Sequence, residues 1–186
     1  MSSSGRGTRS WFSAPVERDG PIIGAMSDSE NTHRIGVIVV DHGSRRAESN
    51  EMLEELTRSS ISERLEYDIV EPAHMELAEP SIATAFGRCV ERGATMVVIQ
   101  PYFLLPGKHW NQDIPELAAE AASHHPGVEY LVAAPFGVHP LMADVVSARV
   151  EYCLAHVRGE VPECEACAGT GVCRLRTGDP VEAAAG

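Results

Sequence analysis

The chain has 186 residues, 44% of them hydrophobic, and a formal net charge of −12, which suits one domain with a two- or three-layer core. The acidic balance argues against nucleic acid as a partner, since that needs a basic face, and no apolar run approaches the roughly 18–20 residues that span a bilayer; a soluble protein with no membrane partner is expected. Five cysteines, unevenly spaced, are too few for a disulfide scaffold.

Residues 1–33 show no sustained periodicity. The first sixteen carry Arg6, Arg9 and a run of hydroxyl residues (Ser2, Ser3, Ser4, Thr8, Ser10, Ser13) with no acidic residue, the composition of an organelle transit peptide. Glu17, Asp19, Asp28 and Glu30 then break the pattern, so processing in the Gly20–Ser29 stretch is expected. The alternative is a disordered terminus.

From residue 34 to about 158 strand and helix signals alternate. Apolar runs Ile35–Val40, Ile69–Ala73, Met96–Ile99 and Tyr130–Ala133 read as strands. The first helix is expected from near Ser44, with Met52, Leu53, Leu56, Ile61 and Leu65 inward. Ser81 is placed to cap the second, in which Ile82, Ala85, Phe86, Cys89 and Val90 recur at helical spacing and Gly93 ends the run. Cys89 reads as a buried small hydrophobe. Asp113 and Glu116 resemble a capping box at the start of the third, with Ile114, Leu117, Ala118, Ala121 and Ala122 on one face. A fourth is expected from about Leu141 to near Gly159, its stripe formed by Val146, Val150, Cys153, Leu154 and Val157. The fold expectation is α/β: a parallel sheet of about four strands, helices on both faces, right-handed crossovers, and a flexible tail over 159–186.

Each strand runs into a segment that carries chemistry. Asp41-His42-Gly43-Ser44 follows the first, His74-Met75-Glu76 the second, a long loop with Lys108, His109 and Trp110 the third, and Gly137-Val138-His139-Pro140 the fourth. In a parallel sheet these ends share one rim, where open α/β sheets bind ligands. His42, Glu76 and His109 would then meet in one cleft, with His139 as a candidate fourth group, and imidazole with a carboxylate suits a first-row transition metal. His139 reads equally as a fourth ligand or as a residue orienting its loop. Arg45, Arg46 and Lys108 flank the cleft as candidate partners for an anionic ligand, and Trp110 reads either as a flat face for a planar ligand or as a loop anchor. Glu71 and Glu79 read as solvated, and His33, His124, His125 and His156 as surface residues. No phosphate cradle of the G-x-G-x-x-G or G-x-x-x-x-G-K-[ST] type is present, nor a G-x-S-x-G elbow.

Four motifs in order carry a resemblance across residues 35–157: His42-Gly43-Ser44; Glu76-Leu77-Ala78-Glu79-Pro80-Ser81; Pro101-Tyr102-Phe103-Leu104 through Gly107-Lys108-His109-Trp110-Asn111-Gln112-Asp113-Ile114-Pro115; and Gly137-Val138-His139-Pro140. Together they resemble the short, single-domain class II tetrapyrrole chelatases, in particular the plant-type sirohydrochlorin ferrochelatases. The resemblance implies a chelatase fold, ATP-independent insertion of Fe²⁺ (Co²⁺ in cobalamin-making relatives), a homodimer of small subunits and a place in the chloroplast stroma. It also implies that His42 and His109 handle the metal and that Glu76 is their acidic helper. Metallation exchanges two pyrrole N–H protons for a divalent ion, so weak metal ligands that also accept protons suit it, and histidine does both near neutral pH. Sirohydrochlorin is rimmed with carboxylates, which Arg45, Arg46 and Lys108 could pair. A non-catalytic iron or iron–sulfur carrier is the alternative of a different class.

The tail holds a second signal, Cys164-Glu-Ala-Cys167-Ala-Gly169-Thr-Gly171-Val-Cys173. Three thiols with glycines between them suit a thiophilic metal. Zinc is the generic reading of C-x-x-C, and C-x-x-C-x-G-x-G resembles half of a zinc-binding chaperone repeat, but zinc sites take four ligands. The resemblance to plant-type ferrochelatases extends to this tail and implies a [2Fe–2S] cluster there, with Cys153, a partner's cysteine or a non-protein group as the fourth ligand.

Overall fold

Ile35–Asp41 (β1) is the most heavily buried strand, its five middle residues all inside, because it lies between two others. The computed structural model describes residues 33–176, so the expected transit peptide and its processing stretch lie outside the described residues. The other strands are Ile69–His74 (β2), Met96–Pro101 (β3) and Glu129–Val132 (β4). All pair in parallel in the order β2-β1-β3-β4, as the alternating pattern implied. A strand buried on both faces reads as a continuous apolar run, which is what β1 shows.

Alternate residues of β1 serve opposite layers. Ile38 and Val40 join Ile69, Ala73, Val97 and Ile99 beneath the helices Ile82–Glu91 (α3) and Ile114–Ser123 (α4), whose Phe86, Cys89, Ile114 and Ala118 complete the larger core. Val37 and Val39 face the other way, onto Leu53 with Ile61 and Leu65. Cys89 is buried as expected, and burial pushes its thiol up to about 12.

Four local expectations are corrected. The first helical stretch begins at Ala47, not Ser44, and comprises Ala47–Leu56 (α1), a π-helical segment Thr57–Ile61 and Ser62–Arg64 (α2). Met52 is 46% exposed and Thr57 fully buried in its place. The inward positions Leu53, Thr57, Ile61 and Leu65 are each four residues apart. An α-helix of 3.6 residues per turn would drift off that line, and the wider π turn keeps it facing the sheet. In α3 the expected Ser81 cap does form, accepting from the Thr84 N–H at 3.3 Å, and Gly93 ends the run at φ +92°.

The second correction concerns Asp113. A π-helical segment His109–Asp113 runs straight into α4, so Asp113 lies inside a helix with helical backbone angles and makes no cap. Pro115 explains the wide turn, since it has no N–H for the Asn111 carbonyl and its ring crowds that group. Third, Glu71 and Glu79 are engaged. Glu71 pairs with Arg92 at 2.6 Å. Glu79 accepts from the Ser81 N–H and the Thr84 hydroxyl, both at 2.8 Å, which hold its carboxyl below the usual range.

The fourth concerns Leu141–Val157 (α5). The chain divides into two compact units, one ending at Val138 and the other beginning at His139. No residue of α5 is buried, and Val146, Val150 and Leu154, expected inward, are exposed. Among the described residues of its own unit, Val172–Leu175 lie beside Val150, Cys153 and Leu154 and leave Val150 and Leu154 about half exposed. None of the helices among the described residues is long and apolar enough to cross a membrane.

Candidate metal-handling site

After β1 the chain moves to β2 on one side and then crosses to β3 on the other. The crevice between β1 and β3 is therefore the switch point of the sheet, where ligands bind in open α/β folds. His42 leaves the end of β1, Glu76 follows β2, and His109 opens the π-helical segment after β3. The structure places His42 beside each of the other two, while the three as they stand are not drawn tightly enough to hold one ion. His42 Nε2 is 2.7 Å from Glu76 Oε1. The His42 and His109 rings are 5.1 Å apart, nearly perpendicular at 74°. All three side chains are about half exposed, so the site is open to a ligand.

Backbone contacts lock the first two loops together. Met75 N–H donates to the Asp41 carbonyl at 2.8 Å and Glu76 N–H to the His42 carbonyl at 3.1 Å. Gly43 has φ +82°, and a Cβ there would stand 2.0 Å from the Glu76 carbonyl oxygen, so no other residue fits. Leu77 is left-handed at φ 67°, a conformation that costs a non-glycine residue about 1–3 kcal/mol. Ser44 is clamped by Asn50, whose side chain accepts its N–H and donates to its carbonyl, both at 2.9 Å.

Beneath His42 lies a second histidine–carboxylate pair. Asp41 Oδ1 accepts from His74 Nδ1 at 2.6 Å and from Gly43 N–H at 2.9 Å. His74 is fully buried and its Nε2 has no hydrogen-bond partner; Glu54 Oε1 stands 3.8 Å away. The His109 Nδ1 faces Asp113 Oδ2 at 2.7 Å, and Phe103 stacks on the ring at 6.1 Å. The hydrogen bond from His109, with Lys108 nearby, holds the Asp113 carboxyl below its usual range. Asp41, His74, Asp113 and Phe103 were missed as site residues in the sequence. Only Asp113 carried a usable signal, its position four residues after His109.

Both nitrogens of His42 face oxygen, Nδ1 towards the Gly43 carbonyl at 3.2 Å and Nε2 towards Glu76. A neutral imidazole has one N–H and one lone pair, so only one of the two His42 nitrogens can offer a lone pair to a cation.

The remaining expected residues are less tightly drawn in. Lys108 Nζ is 3.6 Å from Asp113 Oδ1. Arg45 and Arg46 are exposed and form no ion pair among the described residues. Trp110 Nε1 donates to the Ala133 carbonyl at 2.9 Å, tying the His109 loop to the end of β4. His139 opens the second unit and accepts from the Leu141 N–H through Nδ1 at 3.3 Å.

Within the second unit the Cys164 and Cys167 sulfurs are 3.4 Å apart, and Cys173 lines a surface hollow together with Cys153. The Cys167 thiol and the Ala166 N–H hold Cys164 below the usual thiol range, while partial burial and Cys153 push Cys173 up to about 11. Only Cys164 and Cys167 are in contact among the described thiols, and no three His, Cys, Asp or Glu among the described residues are grouped closely enough as they stand to hold a metal.

Residues 36–153 match the family model CbiX. The chain is 52% identical over 159 residues to the chloroplastic sirohydrochlorin ferrochelatase of Arabidopsis thaliana, covering 86% of this chain and 68% of that protein. It is 33% identical over 132 residues to a sirohydrochlorin cobaltochelatase of Priestia megaterium, covering 70% of this chain and 42% of that one. Among solved structures, the sirohydrochlorin chelatase SirB of Bacillus subtilis subspecies spizizenii in complex with cobalt superposes with a TM-score of 0.58 at 30% identity, over 63% of this chain and 50% of that one. The chain thus spans about half or less of the two bacterial proteins. Four ordered motifs, a parallel sheet with its histidines on the carboxyl rim, and these matches agree: the chain belongs to the CbiX family, the class II tetrapyrrole chelatases.

Proposed function

We propose that this chain inserts Fe²⁺ into sirohydrochlorin to give sirohaem without ATP. The observation that carries the reading is the convergence of His42, Glu76 and His109 at the switch point of a CbiX-family sheet. Iron and tetrapyrrole are both substrates. Fe²⁺ replaces two pyrrole protons, so the balance is one divalent ion in and two protons out. His42 and His109 hold the incoming ion through imidazole nitrogen, weakly enough to release it to the macrocycle. Glu76 contributes a carboxylate oxygen, and with His42 it accepts the departing protons. Arg45, Arg46 and Lys108 pair the peripheral carboxylates, and half-buried Trp110 offers the exposed part of its ring to the macrocycle.

Anaerobic mixing with sirohydrochlorin and Fe²⁺, followed by the tetrapyrrole spectrum, tests this directly. Conversion without ATP that is lost in His42→Ala is expected. Iron binding without any spectral change would point to a carrier. The cobaltochelatase relatives favour a second reading, Co²⁺ insertion; comparing kcat/KM for the two ions on one preparation decides between them.

Three further properties belong to this reading. The tail would hold a [2Fe–2S] cluster through Cys164, Cys167 and Cys173, with Cys153 as the nearest thiol to complete the set. The contact between Cys164 and Cys167 and the lowered Cys164 fit a thiolate-bound cluster, and a colourless protein with stoichiometric zinc would overturn it. Such a cluster supplies one-electron chemistry when bound, and no step of metal insertion needs it. A homodimer is supported by the exposed apolar residues of edge strand β4 (Tyr130, Leu131). A fully active monomer by light scattering would contradict it. A plastid location is supported by the Arabidopsis relative, named chloroplastic, and by the acid-poor start of the sequence; import of a 1–33 fusion into isolated chloroplasts tests it.

A further inference from the structure

We infer that Asp113 is a positioning residue for His109, fixing that ring as the Nδ1–H tautomer so that Nε2 is its one lone pair available to a divalent ion. The inference rests on the reading of His109 as a metal-handling residue. A carboxylate only accepts, so the 2.7 Å contact between His109 Nδ1 and Asp113 Oδ2 places the proton on Nδ1. A neutral imidazole then has its remaining lone pair on Nε2. Histidines that bind metals are commonly held in this way, with the second nitrogen donated to a carboxylate that orients the ring and raises its basicity.

The local fold makes the contact a consequence of sequence. Pro115 forces the wide turn His109–Asp113, which brings residues four apart over each other. Ile114, fully buried, anchors the carboxylate end of that turn to the core. Phe103 stacks against the His109 ring, so a ring tethered at Nδ1 has little freedom to flip. Lys108, 3.6 Å from the other oxygen, Oδ1, leaves Oδ2 to the histidine.

The test titrates Co²⁺ alone, anaerobically, into the full chain and into variants, and reads the component of binding that His109→Ala removes. That subtraction separates the rim from any cobalt held by the tail thiols. Asp113→Ala and Asp113→Asn should weaken this component by about 10–100-fold, the usual effect of losing an orienting partner. They should raise the apparent KM for metal in parallel and leave the KM for sirohydrochlorin unchanged. Asp113→Glu, which keeps the charge and the acceptor, should recover most of the loss. A merely structural role would lower Tm and move both KM values together. If His109→Ala removes a cobalt component but the Asp113 variants bind it as the parent does, the inference falls and the metal role of His109 stands. If His109→Ala removes no component at all, that role falls too.

Discussion

The rim and the tail both carry side chains of the metal-ligating type, but they are organised in opposite ways. At the rim, backbone does the organising. The Glu76 N–H meets the His42 carbonyl, Gly43 admits no Cβ against Glu76, and Asp41, next to His42 in the chain, is held by the buried His74. In the tail it is a side-chain contact, Cys164 to Cys167, on a segment with no strand or helix among its described residues. A site that must bind an ion and let it go needs fixed ligands that cannot close around the metal. A site that keeps its metal can be ordered by that metal.

The largest expected effect is at the rim. His42→Ala removes a ligand and proton acceptor, and Gly43→Ala forces the His42 and Glu76 loops apart; each should lower iron insertion by at least about 100-fold. An anaerobic spectral assay reads this, and near-normal turnover in a folded Gly43→Ala would mean that the backbone lock is not what holds the pair. Next come His74→Gln and Asp41→Asn. Because they loosen the support and spare the ligands, a loss of about tenfold in kcat is expected. A fall in Tm with unchanged kcat would assign the buried pair to stability alone.

Smaller still is the charge effect. Changing Arg45, Arg46 and Lys108 together to Gln should raise the KM for sirohydrochlorin and flatten its salt dependence, since exposed ion pairs are screened. An unaltered KM at low salt would place the carboxylates elsewhere. The smallest effect on chelation should come from the tail. Ser at Cys164, Cys167 and Cys173 should abolish the visible absorbance of the anaerobically purified protein yet keep most of the iron insertion, because the tail and His42, Glu76 and His109 belong to different compact units. A folded, dimeric variant that cannot insert iron would erase the contrast between the two regions.

Much of this was legible in the sequence because it depends on periodicity and order. The strands appear within a residue or two of their expected ends, the Ser81 cap forms, and the rim residues follow from strand ends that share one edge. The π turns were not legible, since no helical pattern distinguishes a run that keeps a four-residue stripe from an ordinary helix. Asp113 was misread as a cap because its partner lies before it in the chain, not after. His74 was passed over because pairing with Asp41 depends on β1–β2 register, which a single sequence does not display. The α5 stripe was misjudged because periodicity reports an apolar face and not what covers it.

The Asn50 clamp on Ser44 has a consequence for hydrogen exchange. The Ser44 amide lies outside any strand or helix and its residue is half-buried, which ordinarily means rapid exchange with solvent deuterium. Its N–H is instead held at 2.9 Å by the buried Asn50 side chain of α1, six residues on, so its exchange should follow the opening of α1 against the sheet and not loop fluctuation. Slow exchange at Ser44 beside fast exchange at Arg45 would mark where the fixed part of the rim stops and where the two arginines gain their freedom to move.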